Sequence, residues 1–146
     1  MPAIDIHHVA IKTADIDATV AFYHNVIGSR SVARPPFDFP GAWLQLGSTM
    51  FHIYGGTAAQ NDQGVVEQGG AAVDHIALTA RDFPGMKKIV ESHGLPWRQN
   101  DIPSAGLWQL FVHDPSGVLV ELNFTIADEV SGTGPDGTNK YIAGRF

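Results

Sequence analysis

Two histidines, His8 and His75, stand 67 positions apart, each just ahead of an apolar triplet, in "IDIHHVAIKT" and "AAVDHIALTA". The same interval separates Asp15 from Asp82. A second pair, His52 in "TMFHIYG" and Glu121 in "GVLVELNF", is separated by 69 positions. Imidazole and carboxylate donors in a chain without cysteine suit a borderline divalent ion such as Zn, Ni, Fe or Mn and exclude a thiolate site. Two or three imidazoles with one carboxylate leave positions open on a six-coordinate ion, as catalysis at a metal requires.

Such donors must be held by regular elements, and strand alternation sorts them. In "IHHVAIK" one face carries Ile6, His8, Ala10 and Lys12, and the other carries His7, Val9 and Ile11. The bulky Val9 and Ile11 belong under a helix, which puts His8 on the open face. By the same test Ile76 and Leu78 face a helix and His75 and Ala77 face away. In the later strands Phe51 and Ile53 are helix-side while His52 is open. Likewise Val118, Val120, Leu122 and Phe124 are helix-side while Glu121 is open. The repeat thus places His8, His52, His75 and Glu121 as four candidate ligands on one concave face.

Each first strand is followed by a helix. In "ADIDATVAFYHNVIG", Asp15 is the cap, Ile16, Val20, Tyr23 and Ile27 form the apolar face, and Gly28 ends it. In "RDFPGMKKIVESHG", Asp82 caps, Pro84 sits in the first turn, Phe83, Met86 and Val90 face inward, and Gly94 stops the helix. Three short strands follow in each copy: "SVAR", "AWLQLG" and "TMFHIYG", then "LPWRQ", "LWQLFVHD" and "GVLVELNF". "DPSG" makes the tight turn between the last two. The fold class expected is α+β, two paired βαβββ modules forming curved mixed sheets. Module one covers about 4–55, a polar linker about 56–70, module two about 71–126, and a Gly-rich tail 127–146. The tail is expected to be ordered only against a partner or a ligand.

A chain of 146 residues supports one domain built of two half-units that share a core, since about 60 residues alone bury too little. The net charge of −6 argues against nucleic acid or an anionic membrane as partner. No apolar run approaches the roughly 20 residues of a membrane span, and "MPAIDIHH" lacks the marks of a secretory signal. The default location is cytoplasmic. Bare strand edges and an apolar groove lead to the expectation of a homodimer.

The stretches "HHVAIKTADIDATVAFYHNVIG", "DHIALTARD" and "HDPSGVLVEL" resemble the vicinal oxygen chelate superfamily. It includes glyoxalase I, extradiol dioxygenases, methylmalonyl-CoA epimerase, and fosfomycin- and bleomycin-resistance proteins. The resemblance runs from about Ile4 to Phe124. It implies paired βαβββ modules and a metal held by residues of the first and last strands. His8, His75 and Glu121 match the ligand positions of that family. His52 takes the fourth, where glyoxalase I carries Glu or Gln and the epimerase carries Gln.

The activity this implies is a divalent-metal-dependent, glyoxalase-like lyase or isomerase. Its small-molecule substrate would be chelated through adjacent oxygens, with Glu121 or His52 carrying the proton. One alternative is an Fe(II) extradiol-type dioxygenase using His8, His75 and Glu121, with His52 an acid-base residue outside the ligand set. Another is a drug-binding resistance protein without catalysis. Trp43, Trp108, Phe37 and Phe39 are candidates equally for a ligand pocket and for core or dimer contact. Arg34 and Arg98 read as surface residues, with contact to an anionic substrate group as the alternative. His7 reads as a helix-side or surface residue, His24 and His93 as solvated, and His113 as a brace for the DPSG turn.

Overall fold

In the computed structural model, which describes residues 2–146, the first repeat folds as β1 (His8–Lys12), α1 (Ile16–Asn25), β2 (Arg30–Val32), β3 (Gly41–Leu46) and β4 (Thr49–Tyr54). The second gives β5 (His75–Ala80), α2 (Phe83–Ser92), β6 (Trp97–Ile102), β7 (Leu107–His113) and β8 (Leu119–Thr125). The architecture is α+β, as expected. The strand orders are β1-β4-β3-β2 and β5-β8-β7-β6, with the outer β1–β4 and β5–β8 pairs parallel and all others antiparallel. Both copies therefore share one topology. No helix among the described residues is long and apolar enough to cross a membrane.

The chain divides into two compact units. One runs to Gly69 and takes in Asp114–Ser116; the other is Gly70–His113 with Gly117–Phe146. In the first, α1 starts where Asp15 accepts a hydrogen bond from the Ala18 amide at 3.0 Å. The buried helix residues are Thr19, Phe22 and Tyr23, followed by the buried C-cap Val26, a face turned from the expected Ile16, Val20, Tyr23 and Ile27. The aromatic Phe22 has more area to bury than its aliphatic neighbours, and Thr19 is tolerated inside because its hydroxyl pairs with that of Thr13 at 2.8 Å. Tyr23 packs on Phe51, and Leu44, Phe51 and Ile53 are essentially inaccessible. Each such side chain contributes about 1.5–3 kcal/mol by leaving water.

The DPSG turn completes this unit. Tyr23 donates its hydroxyl to Asp114 Oδ2 at 2.8 Å, Ser116 Oγ donates to the Lys12 carbonyl at 2.8 Å, and the Gly69 amide donates to the Ser116 carbonyl at 2.7 Å. Burial, reinforced by the Asp114 carboxylate, pushes the Tyr23 phenol well above its usual range.

In the second unit, Asp82 caps α2 from a left-handed conformation (φ 62°) and accepts from the Gly85 amide at 3.1 Å. A side chain at Gly85 would collide with that carboxylate. The amides of Asp82 and Phe83 both donate to Glu129, each at 2.9 Å, placing a negative charge at the helix start. Of the expected inner face, Phe83 and Val90 are buried and Met86 half-buried.

The tail departs from expectation by packing on its own module. Lys140 forms a parallel bridge with Gln99 of β6. The Gln99 amide donates to the Asn139 carbonyl at 2.9 Å, and the Tyr141 amide to the Gln99 carbonyl at 3.0 Å. The buried Gln99 side chain donates to Asp136 Oδ1 and to the Thr138 carbonyl, both at 2.7 Å. Hydrogen bonds from Thr138 and then Gln99 bring the Asp136 carboxyl down to about 2. Glycine here removes side-chain bulk: Gly134 lies flat against the Trp108 indole.

Candidate functional site

On the open face of the first module, the parallel register sets His8 opposite Met50 and Ala10 opposite His52. The two histidines are therefore diagonal neighbours. Trp43 on β3 lies directly opposite His52. The three rings form one stack: Trp43 and His52 have centroids 4.3 Å apart and planes 6° from parallel, and His52 and His8 follow at 3.9 Å and 15°. His7 meets His8 edge-on, with their Nδ1 atoms 2.9 Å apart. His52 is buried, and its Nε2 has no hydrogen-bond partner. An unsatisfied buried polar atom costs about 1–3 kcal/mol, which marks that nitrogen as a position for a ligand. Burial, then the charges of His8, His7 and Arg34, lowers the His52 pKa from 6.5.

This stack limits what the pair can bind. Imidazole offers its lone pair in the ring plane, and a bound ion sits about 2.0–2.1 Å from the nitrogen. Two rings stacked at 3.9 Å and 15° have no common point within that reach. One ring must turn before both bind one ion.

The second module repeats the diagonal. His75 stands opposite Leu119 and Ala77 opposite Glu121. Here the pair is in contact, with His75 Nε2 2.9 Å from Glu121 Oε2. Asp74 Oδ2 lies 2.8 Å from His75 Nδ1, and Gln109 Nε2 donates to Glu121 Oε1 at 2.6 Å and to Asn123 Oδ1 at 3.0 Å. Each donor atom is thus aimed by a group behind it. Asp74 holds the far edge of the imidazole and Gln109 the far oxygen of the carboxylate, the usual support of a metal ligand. Neighbouring ligands at about 2.1 Å from an ion are about 3 Å apart, so the donor spacing and chemistry of this pair fit a divalent ion. Among the described residues, no three or more His, Asp or Glu side chains gather to hold an ion.

A family model for the Glyoxalase/Bleomycin resistance protein/Dioxygenase superfamily matches residues 5–122. The chain belongs to this superfamily. The Arabidopsis thaliana protein Glyoxylase I 4 is 25% identical over 124 residues, which cover 80% of this chain and 68% of that protein. Lactoylglutathione lyase from Agrobacterium tumefaciens has the same fold, with a TM-score of 0.65 at 23% identity over 87% of this chain and 98% of that one. An antibiotic binding protein from Streptomyces, TnmS3, gives 0.63 at 18% identity over 86% and 98%. The superfamily fold thus carries a lyase and a binding protein alike.

Beside this superfamily framework stand the other residues named from the sequence. Trp108 is core, buried edge-to-face against Phe83. Trp43, Phe37 and Phe39 cluster on the first module, where the Arg34 guanidinium lies 4.9 Å from the Phe37 ring and 4.8 Å from the Phe39 ring. Arg98 lies over Phe146, whose ring also meets His113. His24 Nδ1 is 2.8 Å from the Ser29 carbonyl, and His93 Nδ1 is 2.9 Å from that of Ile89. Asp74 and Gln109 were not singled out from the sequence. Asp74 abuts His75 in "VDHIA", and alternation along β7 puts Gln109 on the face of Glu121, so both carried a readable signal.

Proposed function

We propose that the protein is a divalent-metal-dependent, glyoxalase-like lyase or isomerase acting on a small substrate with adjacent oxygens. The observation that carries this reading is the His75–Glu121 pair at 2.9 Å, supported from behind by Asp74 and Gln109. His75 and Glu121 would hold the ion, one of Fe, Ni, Zn or Mn. When bound, the ion would supply Lewis-acid polarisation to two adjacent substrate oxygens.

His52, a candidate fourth ligand, is assigned the proton instead. Its plane is fixed by Trp43 and shared with His8. A neutral imidazole with an unpartnered nitrogen can accept a proton from carbon and return it to the neighbouring position. Glu121, its second oxygen held by Gln109, remains oriented throughout.

A second reading follows from the same stack. With His52 outside the ligand set, the imidazole and carboxylate of His75 and Glu121 also suit an Fe(II) dioxygenase. Calorimetric titration with Zn, Ni, Mn and anaerobic Fe(II), followed by turnover assays with lactoylglutathione and a catechol at an oxygen electrode, separates the readings. Metal binding with turnover and no O₂ uptake supports the lyase or isomerase. Substrate-dependent O₂ uptake supports the dioxygenase. A protein that binds no metal sinks both and favours a binding role resting on Trp43, Phe37 and Phe39.

A further inference from the structure

Tyr141 belongs to the tail, beyond the stretch matched to the superfamily. Its ring lies flat on Phe111, centroids 3.7 Å apart and planes 7° from parallel. Phe111 is the residue of β7 directly opposite Glu121 of β8, and cross-strand neighbours hold their side chains together on one face. The stacked pair therefore adjoins the carboxylate of the His75–Glu121 pair. The tail is tied here by backbone bonds on both sides of Gln99 and ends with Phe146 against His113, two residues along the same face. This is more anchoring than a loose terminus carries, and it brings a half-buried phenol to the candidate site.

We propose that Tyr141 is a substrate-contacting residue, its ring forming with Phe111 a wall beside Glu121 and its hydroxyl donating a hydrogen bond to a substrate oxygen. The inference rests on the function proposed above. Burial and then the charges of Asp74 and Glu121 raise the Tyr141 pKa from 10.0. The hydroxyl keeps its proton at neutral pH, and the ring is near enough to both carboxylates to feel them. A role as tail anchor alone would need the ring and not the hydroxyl.

The test uses the full chain labelled with 13C in its tyrosine rings, loaded with Zn by calorimetric titration and then given lactoylglutathione. The Tyr141 signals, identified by their loss in Tyr141→Phe, should move when lactoylglutathione is added, while those of Tyr23 stay. Tyr141→Phe keeps the stacked ring, so its melting temperature and Zn affinity should match wild type. Its affinity for lactoylglutathione should fall about tenfold, the worth of one hydrogen bond. If Zn binds but the Tyr141 signals stay fixed, or lactoylglutathione binds Tyr141→Phe as it binds wild type, the inference is overturned and the metal reading stands. If wild type takes up no Zn, the function reading falls and takes the inference with it.

Discussion

His8 and His52 lie face to face, ring centroids 3.9 Å apart and planes 15° from parallel, with Trp43 closing the far side of His52. Two rings so stacked compete for a single ion, and the clamped one is the worse ligand. His52→Ala should therefore retain the wild-type metal content while turnover slows by about 10²–10⁴-fold, the usual worth of an acid-base group. His75→Ala and Glu121→Gln should each lose the metal. Elemental analysis of the three purified variants checks this, and metal missing from His52→Ala would return that residue to the ligand set.

Asp74 holds the Nδ1 of His75 at 2.8 Å. Removing its charge without changing its shape, as Asp74→Asn, should weaken metal affinity by about 10–100-fold. Competition with a chromogenic chelator measures it. An unchanged affinity would mean that Asp74, though close, does not orient the imidazole.

His52 sits below its usual pKa of 6.5 because it is buried and faces His8, His7 and Arg34. The unfolded chain thus takes up its proton at a higher pH than the folded one. The stability held by the neutral ring is complete above about pH 6.5 and lost as pH falls through the lower folded value. NMR titration of the metal-free protein should show His52 protonating below its unfolded value, and His52→Asn should flatten the acid side of the stability profile. A His52 titration midpoint at or above 6.5 would refute this.

Tyr23 and Asp114 make a buried hydrogen bond of 2.8 Å. Tyr23→Phe should cost about 1.5–3 kcal/mol, the range for a bond to a charged acceptor. Urea unfolding gives the value, and a loss under 0.5 kcal/mol would show that the bond adds little beyond packing.

Ile4 and Ile6, just ahead of β1, are 93% and 65% exposed. Together with the place of β1 and β5 at the ends of their sheets, they support the homodimer reading. Light scattering at micromolar concentration should give twice the chain mass, and a monomer would reject it.

The open-face positions of His8, His52, His75 and Glu121 were legible because strand alternation is local and both outer strand pairs repeat one parallel register. Helix caps at Asp15 and Asp82 were legible for the same reason. The α1 face was not, since burying Thr19 depends on Thr13, a partner that periodicity ignores. The stacking of His52 between Trp43 and His8 depends on ring orientation, which composition does not encode. The tail was misread because its glycines and polar residues look loose. Their order comes from Gln99, whose buried amide reaches Asp136 and Thr138 from nearly forty residues away.

The three residues Asp114–Ser116 belong to a unit whose other members end at Gly69. During synthesis the ribosome delivers Tyr23 long before it delivers the carboxylate that receives its hydroxyl. The carbonyl of Lys12 and the amide of Gly69 wait equally long for Ser116. A nascent chain that has emerged only as far as Gly69 thus lacks the segment that closes its own core. These hydrogen bonds form only when the later half has been made, so a fragment ending at Gly69 should be less stable than the same module in the full chain.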